Sequence, residues 1–459
     1  MLHLYSDSPR ELYALEELHN SIGLVCQDVV SFVAGGSLAE SAAPEAKATV
    51  LFVAEGGGSG ILSKLDYGVD DGRLVVRGDL LGFIFRTLTR EMEKDLPRDN
   101  LGRVRLPDDP AYKEGLHQTA YLDRLAGEFV KVLGEYLDER QVSWHLQRIA
   151  DRPMVCMTHD VDGMHGQSWA RYAAWIGSTL VRSGVGGLKR TAKRIALYRG
   201  AESDPLFPAE MFHEARADQY NHTFFVMSLP RALGHEGLRY SLNRRKTVAV
   251  FEKLMEAGHE IALHPSRKSQ DSPQLLQTEK TRMLRSLGME GQGLGMRCHY
   301  LKASFPETWR VEQRLAFKYD STLGWTEGPG FRAGTARPYQ PFDHENGERL
   351  ALWELPLVAM DGALGGTARE IADRAVKISE ECFANGGPAT ILWHTNRLMP
   401  YDFPEHANAY ELLSAYFADK GCLGLTAGEV VDRFARHYNE LSKQREAKAN
   451  DMTSRCYRG

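Results

Sequence analysis

The stretch "MVCMTHDVDGMHG", residues 154–166, holds the question on which the fold turns. Apolar residues run into Thr158, and His159, Asp160 and Asp162 then arrive within four positions. A strand that ends in two carboxylates and an imidazole is either closing in a turn or opening a site. Which of the two holds depends on what the following strands do.

Seven short apolar runs follow it: "TFFVMS" (223–228), "HEIALH" (259–264), "GMRCHYL" (295–301), "KYDSTLG" (318–324), "LWELPLVAMD" (352–361), "ATILWHT" (389–395) and "LGLT" (423–426). Helical patterns separate them. Val248, Phe251 and Met255 fall at i, i+3, i+7 before Gly258, and Leu276, Met283, Leu284 and Leu287 repeat the pattern before Gly288. Ser304 with Glu307, and Thr426 with Glu429, have capping-box spacing. Strands alternating with helices imply a parallel sheet, and seven or eight such units predict a closed or nearly closed barrel. The expected architecture is therefore α/β, a distorted (β/α)7–8 barrel over residues 151–445, with a polar C-terminal tail at 446–459.

Two segments interrupt this rhythm. Residues 164–208 read as a helical insertion after the first strand. Residues 325–350, "WTEGPGFRAGTARPYQPFDHENGERL", are rich in Gly and Pro and too long for a plain connection, which is typical of binding loops. The loop is expected to cover the pocket, where Arg332, Arg337 and Tyr339 could contact substrate hydroxyls or an acidic group; a solvated loop is the alternative. Residues 1–150 read as a separate small α/β domain, with a strand in "ATVLFV" (48–53) and an amphipathic helix in "DLLGFIFRTLTREMEKD" (79–95). The run "GGGSG" (56–60) is followed by no Gly-Lys-Ser/Thr, so it reads as a flexible turn rather than a phosphate loop.

Composition excludes some functions. Of 459 residues, 43% are hydrophobic and 25% charged, as in a globular protein, and the net charge of −5 argues against a nucleic-acid binder. Six scattered cysteines without a C-x-x-C pair fit a reducing compartment. The first twenty residues have no apolar h-region, and no run approaches the ~18 apolar residues of a membrane span. A cytoplasmic location without a membrane span is expected.

In a parallel barrel, chemistry gathers at the C-terminal ends of the strands. Strand one offers Asp160 and Asp162, strand three His264, strand four Arg297 and His299, strand six Asp361, and strand seven His394. Residues i and i+2 of a strand share a face, so Asp160 and Asp162 can pair, as can Arg297 and His299. His159 points the other way and reads as structural. Recurrence at five strand ends shifts the balance from turns to a metal-dependent hydrolase. Asp and His together suit zinc or another divalent ion.

These motifs carry a resemblance. "THDVDG" (158–163), "HTFFV" (222–226), "AGHEIALHPS" (257–266), "RCHY" (297–300) and "LWHT" (392–395) resemble, in order, the motifs of polysaccharide deacetylases of the NodB-homology type. The resemblance implies Asp160 as catalytic base, Asp162 and His264 as metal ligands, Arg297 positioning the base, and His394 as catalytic acid. Asp361 could orient His394 from a neighbouring strand. The family's second motif normally ends in another histidine, where this chain has Lys268, and a protonated lysine is no ligand. Either the third ligand comes from elsewhere or metal binding is weakened. His299, in the place of a proline of the third motif, is the obvious replacement. Trp393 and Lys268 join Arg332 and Tyr339 as expected substrate contacts.

A subgroup resemblance extends further. "LHPS", "RCHYL", "YDSTLGW", "PGFRAGT" and "ELPLVAMDG", with "DLLGFIFRTLTREMEKDLPRDNLGRVRLP" (79–107), resemble deacetylase-like proteins of bacterial surface-polysaccharide clusters. The subgroup names no substrate; the family resemblance implies an N-deacetylase acting on an acetylated amino sugar of a surface polysaccharide or its precursor, with a carbohydrate partner and a divalent metal cofactor, zinc first. Hydrolysis of another C–N amide bond, and an inactive carbohydrate-binding barrel, are the alternatives.

Overall fold

The computed structural model describes residues 2–35, 43, 46–54, 62, 64–212, 220–229 and 240–456, with side chains as far as 445. The turn expected at 56–60 lies outside them. The strand Met154–Val161 is buried along its whole length, as a strand covered on both faces must be. It is the hub of a curled, all-parallel sheet. On one side it pairs with Thr223–Val226, and the ladder continues through Glu260–Leu263, Leu294–Met296, Phe317–Asp320 and Trp353–Glu354. On the other side it pairs with Ala389–Leu392, which pairs with Ala359–Met360. Leu423–Gly424 adds to the start of the hub strand.

The expected distorted (β/α) barrel is thus found, with one change. Residues 352–361 are two short strands rather than one, and they form the two opposite edges of the sheet. Pro356 between them has no N–H to give to a ladder. Leu355 N–H still donates to Asp320 O (2.8 Å) and Val358 N–H to Thr390 O (3.0 Å), so this segment carries the backbone bonds across the seam. The ring closes through it.

Helices fill the connections. Pro273–Leu287 ends at Gly288 with φ +65°, the left-handed cap its position predicts. Thr426 and Glu429 form both bonds of their capping box. Ser304 and Glu307 do not, because the Ser304 N–H goes to Thr308 Oγ1 and the helix begins only at Glu307. The insertion after the first strand is a helical hairpin, Trp169–Ser183 and Leu188–Arg199.

A second sheet occupies residues 2–77, in the order Leu2–Ser6, Val30–Ala34, Ala48–Val53, Arg73–Arg77, Asp66–Asp70, the last strand antiparallel. The helix Tyr121–Glu139 packs on it through Phe129, whose ring lies 5.7 Å from those of Phe32 and Phe52. The helix expected over 79–95 stops at Leu88. Arg90 adopts φ +56° and turns its side chain inward to Glu93 and Asp109, both at 2.9 Å.

The loop expected as a lid over the pocket is a strap instead. Phe331 N–H donates to His117 O (2.8 Å), Leu122 N–H to Gly334 O (3.0 Å), and Thr335 Oγ1 to Asp123 (2.9 Å). These bonds join the barrel to the N-terminal region.

Candidate active site

The site residues sit at or just beyond the strand ends, Asp160 inside the end of Met154–Val161 and Asp162 directly after it. His264 follows Leu263, Arg297 follows Met296, Asp361 follows Met360, and His394 lies two residues past Leu392. Backbone bonds fix these positions: His264 N–H donates to Val226 O (2.8 Å) and Arg297 N–H to Leu263 O (3.0 Å). Strand register therefore aims the side chains at one mouth, where Asp160, Asp162, His264, Arg297, His299, His394 and Asp361 all meet.

Three groups emerge there. In the first, Arg297 Nη1 donates to Asp160 Oδ1 (3.1 Å) and to Thr158 Oγ1 (2.8 Å). Its other nitrogens go to Ser321, Nε to the carbonyl at 2.9 Å and Nη2 to the hydroxyl at 3.0 Å. A guanidinium held at four points cannot swing away, so Asp160 is fixed with it. Thr158 and Ser321 complete this cradle and escaped the sequence reading. Thr158 could have been found, since it lies two residues before Asp160 on the same strand face.

In the second, His394 is clamped by Asp361. Nδ1 lies 2.7 Å from Oδ1, and the His394 backbone N–H donates to Oδ2 (2.8 Å). Burial opposes the charged imidazolium, but Asp361, with Asp162 and Asp160 beyond it, outweighs that effect and lifts the pKa to about 9. Burial would likewise raise the Asp361 carboxyl, and His394 with Arg397 brings it below its usual range. His394 is thus an acid at neutral pH, with Nε2 3.8 Å from Asp162 Oδ2. Arg397, 3.5 Å from Asp361, carried no sequence signal because it lies in the loop past the strand.

The third is a candidate metal centre. Ligand atoms of Asp162, His264 and His299 all lie within 4.8 Å of one another. His264 Nε2 and His299 Nε2 stand 3.7 and 3.6 Å from Asp162 Oδ1, too far for hydrogen bonds. That oxygen is enclosed and has no hydrogen-bond partner among the described residues. His264 Nδ1 lies 2.7 Å from Arg297 O, a contact that makes Nδ1 the donor and leaves Nε2 inward as a lone-pair donor to a metal. One carboxylate and two imidazoles with this orientation fit a divalent ion such as zinc.

Three of the expected substrate contacts fail because they are buried. Arg332 donates Nε and Nη2 to the two oxygens of Glu93, both at 2.8 Å, and Nη1 to Gly324 O (3.3 Å); at 2% exposure it has nothing to offer a substrate. Tyr339 is buried with its hydroxyl donating to Leu88 O (3.0 Å). Trp393 alternates to the outer face of its strand and packs 5.6 Å from the Tyr410 ring, inside the core. Lys268 is exposed and stands outside the metal-binding group, at the start of a short 3-10 turn. His159 is structural, as expected, with Nδ1 2.8 Å from Trp393 O. A cavity of about 490 Å³, lined by Asp123, Arg152, Pro153, Arg337 and His437 among others, opens at the opposite, N-terminal ends of the strands and shares none of this chemistry.

No protein-family model and no curated protein matches the chain. Among solved structures it is similar to a putative polysaccharide deacetylase from Mycobacterium smegmatis, with 17% identity over 62% of this chain and 90% of that one, at a TM-score of 0.41. A probable polysaccharide deacetylase from Pseudomonas aeruginosa PAO1 is 12% identical over 62% and 91%, at 0.39. The Puue allantoinase is 14% identical over 63% and 91%, at 0.37. At that level of likeness, the roles of the residues rest on this chain's own geometry.

Proposed function

We propose that this chain is a metal-dependent hydrolase of C–N amide bonds, and that its substrate is an acetylated amino sugar of a surface polysaccharide or its precursor. The observation that carries the reading is one mouth holding an anchored carboxylate, a protonated imidazole and a three-residue donor set. The ordered deacetylase-like motifs supply the carbohydrate half.

Asp162, His264 and His299 would hold the ion, zinc or another divalent metal. Such an ion supplies Lewis-acid polarisation of a carbonyl and a more acidic water. Asp160 accepts the proton of the attacking water, and Arg297 keeps that carboxylate aimed while its Oδ2 faces His264 Nε2 at 3.5 Å. His394 donates the Nε2 proton to the departing nitrogen, and Asp361 stabilises the charge beforehand. The C–N bond breaks, and water's oxygen and hydrogens are divided between acetate and amine. The experiment is acetate release from an N-acetylglucosamine oligomer by protein loaded with zinc and by protein stripped with chelator. Release that depends on zinc supports the reading. Allantoin cleavage without acetate release would select the other amide hydrolysis, and metal-free protein with full activity would refute metal dependence.

A further inference from the structure

The helical hairpin after the first barrel strand has no part in this chemistry, yet its surface is unusual. Its inner side is closed by Tyr172, Trp175, Ile195, Tyr198 and Leu206 against Tyr401. Arg194 lies 4.1 Å above the Trp175 ring and bonds Asp402 at 2.5 Å, tying the hairpin to the loop that leaves the His394 strand. The hairpin therefore stands at the mouth of the barrel.

Its exposed side carries large apolar residues among its polar ones. Trp169, Ala173, Ile176 and Leu180, spaced four, three and four residues apart, form an exposed stripe that continues into Val181 and Val185 at the tip. Trp169, Val181 and Val185 are 73%, 88% and 77% exposed. A helix in a globular protein turns its apolar stripe inward; here the apolar face runs on past the buried Tyr172, 5.8 Å from the Trp169 ring, into solvent, and contiguous exposed apolar patches mark interaction sites.

Charge selects the partner. The 39 residues between Asp162 and Glu202 carry seven lysines and arginines and no carboxylate, in a chain whose net charge is −5. Arg182, Lys189, Arg190, Lys193 and Arg199 are exposed beside the apolar stripe. Two copies of this face would bring like charges together. No helix among the described residues is long and apolar enough to cross a membrane. A surface with tryptophan and aliphatics along one face and cations on the flank suits the boundary between acyl chains and anionic headgroups.

We propose that this hairpin is an interfacial element that seats the mouth of the barrel on an anionic lipid bilayer. The inference does not depend on the hydrolase reading, since vesicle binding is measured without turnover.

The test is co-sedimentation of the full chain with vesicles of phosphatidylcholine alone, and of phosphatidylcholine and phosphatidylglycerol in equal parts. Binding is expected to the anionic vesicles only, and to weaken as salt is raised. Val181→Asp with Val185→Asp, and separately Lys189→Glu with Lys193→Glu, should each weaken binding roughly tenfold or more. All four side chains are exposed, so circular dichroism should be unchanged. The proposal is overturned if the chain ignores anionic vesicles or if both double variants bind as the parent does. Self-association abolished by Val181→Asp, with no vesicle binding, would assign the face to a second copy and overturn it as well.

Discussion

Arg297 and Arg332 are both buried arginines bonded to buried carboxylates, and the sequence predicts both beside the substrate. Only Arg297 reaches the mouth where Asp160 and His264 meet. Arg297 holds Asp160, whose second oxygen looks into the mouth toward His264. Arg332 holds Glu93, which Arg90 also engages, and the backbone carbonyl of Arg332 accepts from Arg90 as well. Burial would raise the Glu93 carboxyl, but the two guanidiniums outweigh it and bring the pKa down to about 2. One pair leaves a carboxylate oxygen for chemistry; the other encloses its carboxylate between two cations and joins two parts of the molecule.

That contrast is open to attack from several directions, and the largest effect belongs to the mouth. Asp160→Asn and His394→Ala should each lower hydrolysis by at least ~10²- to 10⁴-fold, with the fold retained, because each removes a proton-transfer group. Arg332→Ala should leave turnover per folded molecule unchanged, as acetate release would read.

The strap gives the converse. Glu93→Ala leaves two buried guanidiniums with less countercharge, and breaking a buried pair costs about 3–5 kcal/mol. Urea unfolding should show that loss, with the rate per folded molecule unaffected. Because Glu93 titrates lower when folded than unfolded, its stabilisation is present above the usual carboxylate range and is lost as pH falls toward about 2. Glu93→Gln should flatten that part of the acid-unfolding curve.

A smaller and more specific effect concerns pH. Against the effect of burial, the Asp361 carboxylate raises the His394 imidazole above its ordinary value, so kcat/KM should decline on the alkaline side as that proton is lost. Asp361→Asn removes the main charge that raises the imidazole and should move the alkaline limb to lower pH. An unmoved limb would mean that His394 is not the group observed. The smallest effect is expected from Lys268→His, which should leave metal content unchanged, since an exposed side chain outside the donor set has nothing to replace.

How far the sequence could be read follows from the same contrast. Residues at the ends of strands are constrained by period two and by parallel register, so Asp160, Asp162, His264, Arg297, His299, Asp361 and His394 could be placed on one mouth from the strand map alone. Loop residues have no such constraint. Arg332, Tyr339 and the strap around them bind Glu93, Leu88 and His117, partners more than two hundred positions earlier in the chain. Trp393 was open to correct reading, because its neighbour His394 takes the inward face and alternation sends the indole outward. The double use of residues 353–360 as both edges of the sheet was hidden by an apolar run that reads as one strand. Positive φ at Arg90, which ends its helix early, follows from a buried ion pair that local propensity does not reveal.

The most direct measurement is the metal content of purified protein after zinc loading and dialysis, compared between the unaltered chain and His299→Ala. A catalytic zinc site normally needs three protein ligands and an open position. With His299 as the third, the unaltered chain should retain one zinc per chain and the variant should retain little or none, both folded by circular dichroism. Stoichiometric zinc in His299→Ala would contradict the ligand set and reduce His299 to a neighbour of the metal.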